Sequence, residues 1–171
     1  MEPFSLKHLS LVCSIDDLGR LPSGKLLINT INAHSYNTAR KDAVFARALQ
    51  HGDALVPDGM SIVKACRWIK ADSQPVQRIA GWDLFRYEMS RAKGTVMFFG
   101  SSEDTLEKIR TKAMREFPLL KVVTYSPPYK AEFSEDDNKA MTDAINKANP
   151  DLLWIGMTAP KQEKWAYEHW P

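Results

Sequence analysis

Long apolar runs are the first thing this sequence lacks. No stretch approaches the roughly 20 residues needed to span a bilayer. The start, Met1-Glu2-Pro3-Phe4, has neither the basic residues nor the apolar stretch of a secretion signal. Both absences predict a cytoplasmic chain, with any membrane contact peripheral. Cysteine is scarce: Cys13 and Cys66 are the only two, which fits a reducing compartment and gives no disulfide framework. His8, His34, His51 and His169 are scattered, with no metal-ligand spacing. An excess of one charge is also missing. The balance of 23 basic against 21 acidic residues leaves +2, too weak a field to imply a nucleic-acid partner.

Several chemical signatures are absent too. There is no Gly-x-Gly-x-x-Gly and no phosphate-binding P-loop, so the usual marks of NAD or NTP binding are missing. No Gly-x-Ser-x-Gly elbow and no setting for a nucleophilic cysteine occur. No strict Asp-x-Asp is present. The nearest acidic cluster, Glu135-Asp136-Asp137, opens a predicted helix, where acids offset the macrodipole. No metal site and no cofactor are expected. An unrelated Rossmann-type oxidoreductase is disfavoured on the same grounds.

What is present is an alternation. Short apolar, β-branched runs fall at residues 25–29 (KLLIN), 54–56 (ALV), 95–99 (TVMFF), 120–124 (LKVVT) and 152–155 (LLWI). Amphipathic stretches separate them, the pattern of βαβ units. Helices are predicted over 43–49, with Asp42 as cap, and over 61–68, 82–92, 103–117 and 134–148, with a last one from about 161. Trp68, Trp82, Phe98, Phe99 and Trp154 read as core. The first 24 residues are irregular and read equally as a short β element or an extended arm. The expectation is one domain over 1–171, an α/β fold with a Rossmann-like parallel sheet and helices on both faces.

In such sheets ligands bind beyond the carboxyl ends of the strands. The turns there are small and polar: Thr30 to Ser35, Pro57-Asp58-Gly59, Gly100-Ser101-Ser102 and Gly156 to Glu163. Each alone reads as an ordinary turn, cap or helix start. Together they predict a polar crevice, with glycines admitting a ligand to the backbone and helix N-termini favouring phosphate.

In order along the chain stand Asn32-Ala33-His34-Ser35, Pro57-Asp58-Gly59, Arg78-Ile79-Ala80-Gly81-Trp82, Phe98-Phe99-Gly100 and Ala159-Pro160-Lys161-Gln162-Glu163-Lys164-Trp165. This series resembles the WecG/TagA/CpsF glycosyltransferases from about residue 25 onward. The resemblance implies a metal-independent, inverting enzyme of bacterial cell-envelope polysaccharide synthesis. Such an enzyme moves N-acetylmannosamine, its uronic acid or a related sugar from UDP to an acceptor on undecaprenyl diphosphate. It implies Asp58 as general base, with Thr30, Asn32 and Gln162 lining the catalytic pocket. Arg78 would neutralise the departing diphosphate. Gly100, Ser101, Gly156, Lys161 and Glu163 would bind substrate, and Tyr129 would stack on the uracil.

The resemblance further implies work at the inner face of the cytoplasmic membrane and allows a homo-oligomer. Two departures stand out. Pro128 occupies a position where the family carries glycine, which stiffens that loop and removes a backbone donor. The family also continues past the last motif into a basic appendage, whereas this chain stops at His169-Trp170-Pro171. Two expectations stay open: a shortened variant of the family, or a truncated core that binds UDP weakly and turns over poorly. The competing reading is a non-catalytic UDP-sugar-binding or scaffold protein.

Overall fold

The computed structural model describes residues 4–169. The start at Met1-Glu2-Pro3, weighed above for a signal, and the ending at Trp170-Pro171 lie outside them. In chain order the elements are a 3-10 turn (Leu6–His8), α1 (Ile15–Leu18), β1 (Ile28–Ile31), α2 (Ala33–Ala39), α3 (Ala43–Gln50), β2 (Ala54–Pro57), α4 (Met60–Trp68) and α5 (Gly81–Arg91). They continue with β3 (Thr95–Gly100), α6 (Glu103–Glu116), β4 (Lys121–Tyr125), α7 (Glu135–Ala148), β5 (Leu152–Gly156) and α8 (Lys161–His169). This is an α/β fold of open, wholly parallel sheets, Rossmann-like as predicted. Its strands pair in two sets, β1-β2 and β4-β3-β5. The chain forms two compact units, one from residues up to Tyr87 plus those from Ala159, the other Glu88–Thr158.

In the first unit β1 runs parallel to β2, with Thr30 opposite Val56 and Ile31 opposite Pro57. Alternation along β1 buries Asn29 and Ile31 and leaves Ile28 and Thr30 half-buried, as a strand's period of two demands. Buried Asn29 is satisfied by donating Nδ2–H to the Ala48 carbonyl of α3 at 3.0 Å. The core joins Ile31 and Leu55 to Phe45 and Leu49 of α3 and Ile62 and Cys66 of α4. Asp42 caps α3 as predicted, accepting from the Val44 and Phe45 amides at 3.1 and 3.0 Å. The same carboxylate pairs with Lys164 of α8. The undecided N-terminal segment is an arm tied beside β2: the Val12 amide donates to the Leu55 carbonyl at 2.9 Å.

In the second unit β3 is the central strand, with Phe98 opposite both Thr124 of β4 and Trp154 of β5. Residues 96–100 are all buried, the near-continuous apolar run of a strand covered on both faces. Helix α6 packs on β4 and α7 on β3. Serines cap both helices: Ser102 accepts from the Thr105 amide, and Ser134 forms a reciprocal box with Asp137.

Three expectations are corrected. The first strand begins at Ile28, because the Leu27 amide donates to the Asp53 carboxylate at 2.7 Å and the Leu27 carbonyl accepts from Asp53 and Ala54. That engagement spends Leu27 on the turn before β2. The stretch read as a loop after β1 is helix α2, opened by a reciprocal box between Asn32 and Ser35. Phe98 and Phe99 are core as expected, but Trp68 is 88% and Trp82 58% exposed. Among the described residues no helix is long and apolar enough to cross a membrane.

Candidate functional site

The carboxyl ends of β1 and β2 bring three of the predicted residues into adjacent turns. The Asp58 amide donates to the Ile31 carbonyl at 2.8 Å, extending the ladder one residue past both strands. On the other side, the Pro57 carbonyl accepts from the Ile79 amide at 2.9 Å. The backbone around Asp58 is thereby held from two directions. Its half-buried carboxylate has no hydrogen-bond or ion-pair partner among the described residues.

Gly59 lies at φ +151° and begins α4. Side chains rarely adopt that conformation, so glycine is required there. A Cβ at Gly59 would stand 3.8 Å from Asn32 Cβ, which places the two turns side by side. Asn32 Oδ1 is committed to capping α2, accepting from the Ser35 amide at 3.0 Å, while Ser35 Oγ accepts from the Asn32 amide at 2.7 Å. The side-chain Nδ2 of Asn32 has no partner among the described residues and remains for a ligand. Thr30, half-buried on the opposite face of β1 from Asn29, has a hydroxyl with no partner among the described residues.

Arg78 precedes the anchored Ile79, is exposed and makes no ion pair among the described residues. Asp83, five residues on, accepts from the Ala80 amide at 3.0 Å at the start of α5.

The first turn of α8 carries Lys161, Gln162 and Glu163. Glu163 is only 6% exposed, an unusual setting for a glutamate. Its Oε1 accepts from Gln162 Nε2 at 2.9 Å, and its Oε2 has no partner among the described residues. Burial raises the carboxyl above its ordinary 4.5, against the pull of the Gln162 amide. Sequence reasoning assigned Glu163 to substrate but missed its burial. A charged residue between lysines carries no signal of that.

In the second unit, Gly100 and Gly156 face each other across β3 and β5. A Cβ at Gly100, where φ is +122°, would fall 2.3 Å from the Gly156 carbonyl oxygen. Ser101 follows at φ +65°, and its carbonyl accepts from Ser126 Oγ at 2.7 Å. Ser126 was not predicted as a site residue, yet it fixes the turn after β3 to the end of β4. Tyr129 is fully exposed. A cavity of about 450 Å³ lies between the arm at Leu9 to Cys13 and the start of β2, and holds none of the predicted residues.

The fold is Rossmann-like and parallel, with small, polar turns at the ends of its strands, one of which carries Asp58. The sequence profile of the "Glycosyl transferase WecG/TagA/CpsF family" matches residues 5–171, and the chain belongs to that family. It is 27% identical over 146 residues, 84% of this chain and 54% of the relative, to the N-acetylglucosaminyldiphosphoundecaprenol N-acetyl-beta-D-mannosaminyltransferase of Bacillus subtilis (strain 168). The protein of the same description from Bacillus spizizenii (strain ATCC 23059 / NRRL B-14472 / W23) is 27% identical over 146 residues, covering 83% of this chain and 54% of itself. The chain thus spans about half the length of these curated relatives.

Proposed function

We propose that this chain is the catalytic core of an inverting, metal-independent glycosyltransferase. In this reading it moves N-acetylmannosamine or a related sugar from UDP to a saccharide carried on undecaprenyl diphosphate. The observation that carries the reading is Asp58, a carboxylate without a partner among the described residues, on a backbone pinned to Ile31 and Ile79 and beside Asn32. Family membership and the relatives' names support the same chemistry.

The acceptor hydroxyl oxygen attacks the anomeric carbon from the face opposite UDP. The bond from that carbon to the diphosphate breaks, its electron pair leaves on UDP, and Asp58 takes the hydroxyl proton. Arg78, with its fixed planar fork, meets the charge growing on the diphosphate. Thr30, Nδ2 of Asn32 and Gln162 hold sugar hydroxyls. In the second unit Gly100, Ser101, Gly156 and Tyr129 are the candidates for nucleotide contact.

The test is UDP release from candidate UDP-sugars with a lipid-diphosphate GlcNAc analogue, comparing the chain with Asp58→Asn. Acceptor-dependent release that falls about 10²–10⁴-fold in the variant supports Asp58 as base. Release should survive EDTA; its loss on chelation overturns metal independence. A second reading is a nucleotide-sugar-binding protein without turnover. Calorimetric UDP binding with no release favours that reading, and absence of UDP binding overturns both.

A further inference from the structure

Helix α4 buries Ile62, Val63 and Cys66. At 100° per residue, Met60, Lys64 and Trp68 fall one above another on the opposite side, with Arg67 next to them. Met60 is 47% exposed, and Trp68 keeps 88% of its surface in water. Lys64 and Arg67 are exposed, and the helix has no acidic residue. Beyond its end come exposed Ile69 and Lys70. Lys7, also exposed, lies beside this end, its carbonyl accepting from the Asp72 amide at 2.9 Å. The one acid at this end, Asp72, is engaged by His8 at 2.9 Å.

A helix face turned to water ordinarily alternates charges of both signs. Here a methionine and a tryptophan share the face with two cations and Ser61, and with no acid of the helix. We propose that this face of α4 docks on the surface of a bilayer carrying anionic lipid. Tryptophan suits the headgroup region, where one edge of its ring is wet and the rest is not. Lysine and arginine stems lie along apolar surface while their charges reach anionic headgroups. A convex helix face offers a folded ligand no concave pocket, but a flat fluid surface needs none. The docking stands on charge and exposure and does not depend on the transferase reading. If that reading also holds, α4 begins two residues after Asp58 and is about 14 Å long at 1.5 Å per residue. The base would then work within about one helix length of the headgroups.

The experiment is vesicle co-sedimentation of the full chain with phosphatidylcholine, with and without phosphatidylglycerol. The chain is expected to pellet with the anionic vesicles only, and less so as salt rises. Lys64→Gln with Arg67→Gln should weaken partition about thirtyfold, roughly fivefold per cation removed. Trp68→Ser should weaken it about tenfold with an unchanged melting temperature. Lys108→Gln with Lys112→Gln on α6 removes the same charge elsewhere and should retain binding. Equal loss in that control, or no pelleting at any composition, overturns the proposal. So does a concentration-dependent dimer that Trp68→Ser abolishes without vesicle binding, which assigns the face to a second copy. UDP binding should be unaltered in the α4 variants, so failure here is distinguishable from failure of the transferase reading.

Discussion

Gly100 is where a single atom matters most. At φ +122° an added Cβ would meet the Gly156 carbonyl oxygen at 2.3 Å, and neither contact partner is a side chain free to move aside. Left-handed strain and the clash act together, so Gly100→Ala should cost about 3 kcal/mol. The thermal midpoint should fall on the order of 10 °C. An unchanged midpoint would mean that the backbone between β3 and β5 gives way easily. Glu163 makes a different case. Its carboxyl is raised above 4.5 because burial penalises the charged form, so the native state holds its proton more tightly than the unfolded chain does. The stability it contributes is complete below about pH 4.5 and is lost as pH rises through the raised native value. Glu163→Gln stays neutral and still accepts from Gln162. The variant should be the more stable protein at neutral pH, with the gap closing toward pH 4.5 in urea titrations. A deficit of the same size at every pH would instead require an unseen partner for the carboxylate.

Among the elements, α3 depends on one residue for two connections. Asp42 caps its first turn and pairs with Lys164 of α8. Burial resists its ionisation, but the Lys164 ammonium and the helix amides outweigh that and hold it below 3.8. Asp42→Ala should cost about 2 kcal/mol in urea titration, about half from the cap and the rest from the partly exposed pair. Lys164→Met should cost less, and a double-mutant cycle should give a favourable coupling; strict additivity would deny the pair any role. Asp137, which closes the cap of α7, is held at about 2 by Lys130 and Ser134. Its contribution is present above pH 3.8 and is lost as pH falls toward about 2. How legible an element was followed from how local its determinants are. Asp42, Ser102 and Ser134 announce α3, α6 and α7 within a few residues, so those starts were readable. The beginning of β1 depends on Asp53, 26 residues away from Leu27, which no local pattern carries. Helix α2 (AHSYNTA) has no apolar stripe, and its box uses serine where glutamate or glutamine usually stands. Trp68 was misread because size suggests burial, whereas its angular position opposite Ile62 and Cys66 decides exposure. The Asp58 turn was legible from the order of motifs, but the commitment of Asn32 to a cap was not.

At the scale of the molecule, the first unit is discontinuous: the chain leaves at Tyr87, builds the second unit, and returns at Ala159. What returns is α8, with Trp165 buried, Lys164 on Asp42 and the Tyr167 ring 5.1 Å from that of His51. The second unit is continuous, and its central β3 makes backbone bonds to both β4 and β5 without any residue of α8. Loss of α8 packing should therefore be felt unequally. Trp165→Ala empties a large buried volume in the first unit and should cost about 3–5 kcal/mol there. Hydrogen exchange should rise in α3, β1 and β2, while β3 to β5 keep most of their protection, as expected for cooperative units of separate stability. Peptide-resolved exchange by mass spectrometry on the whole chain reads both at once. Equal loss of protection in all five strands would overturn the expectation that the two units open separately.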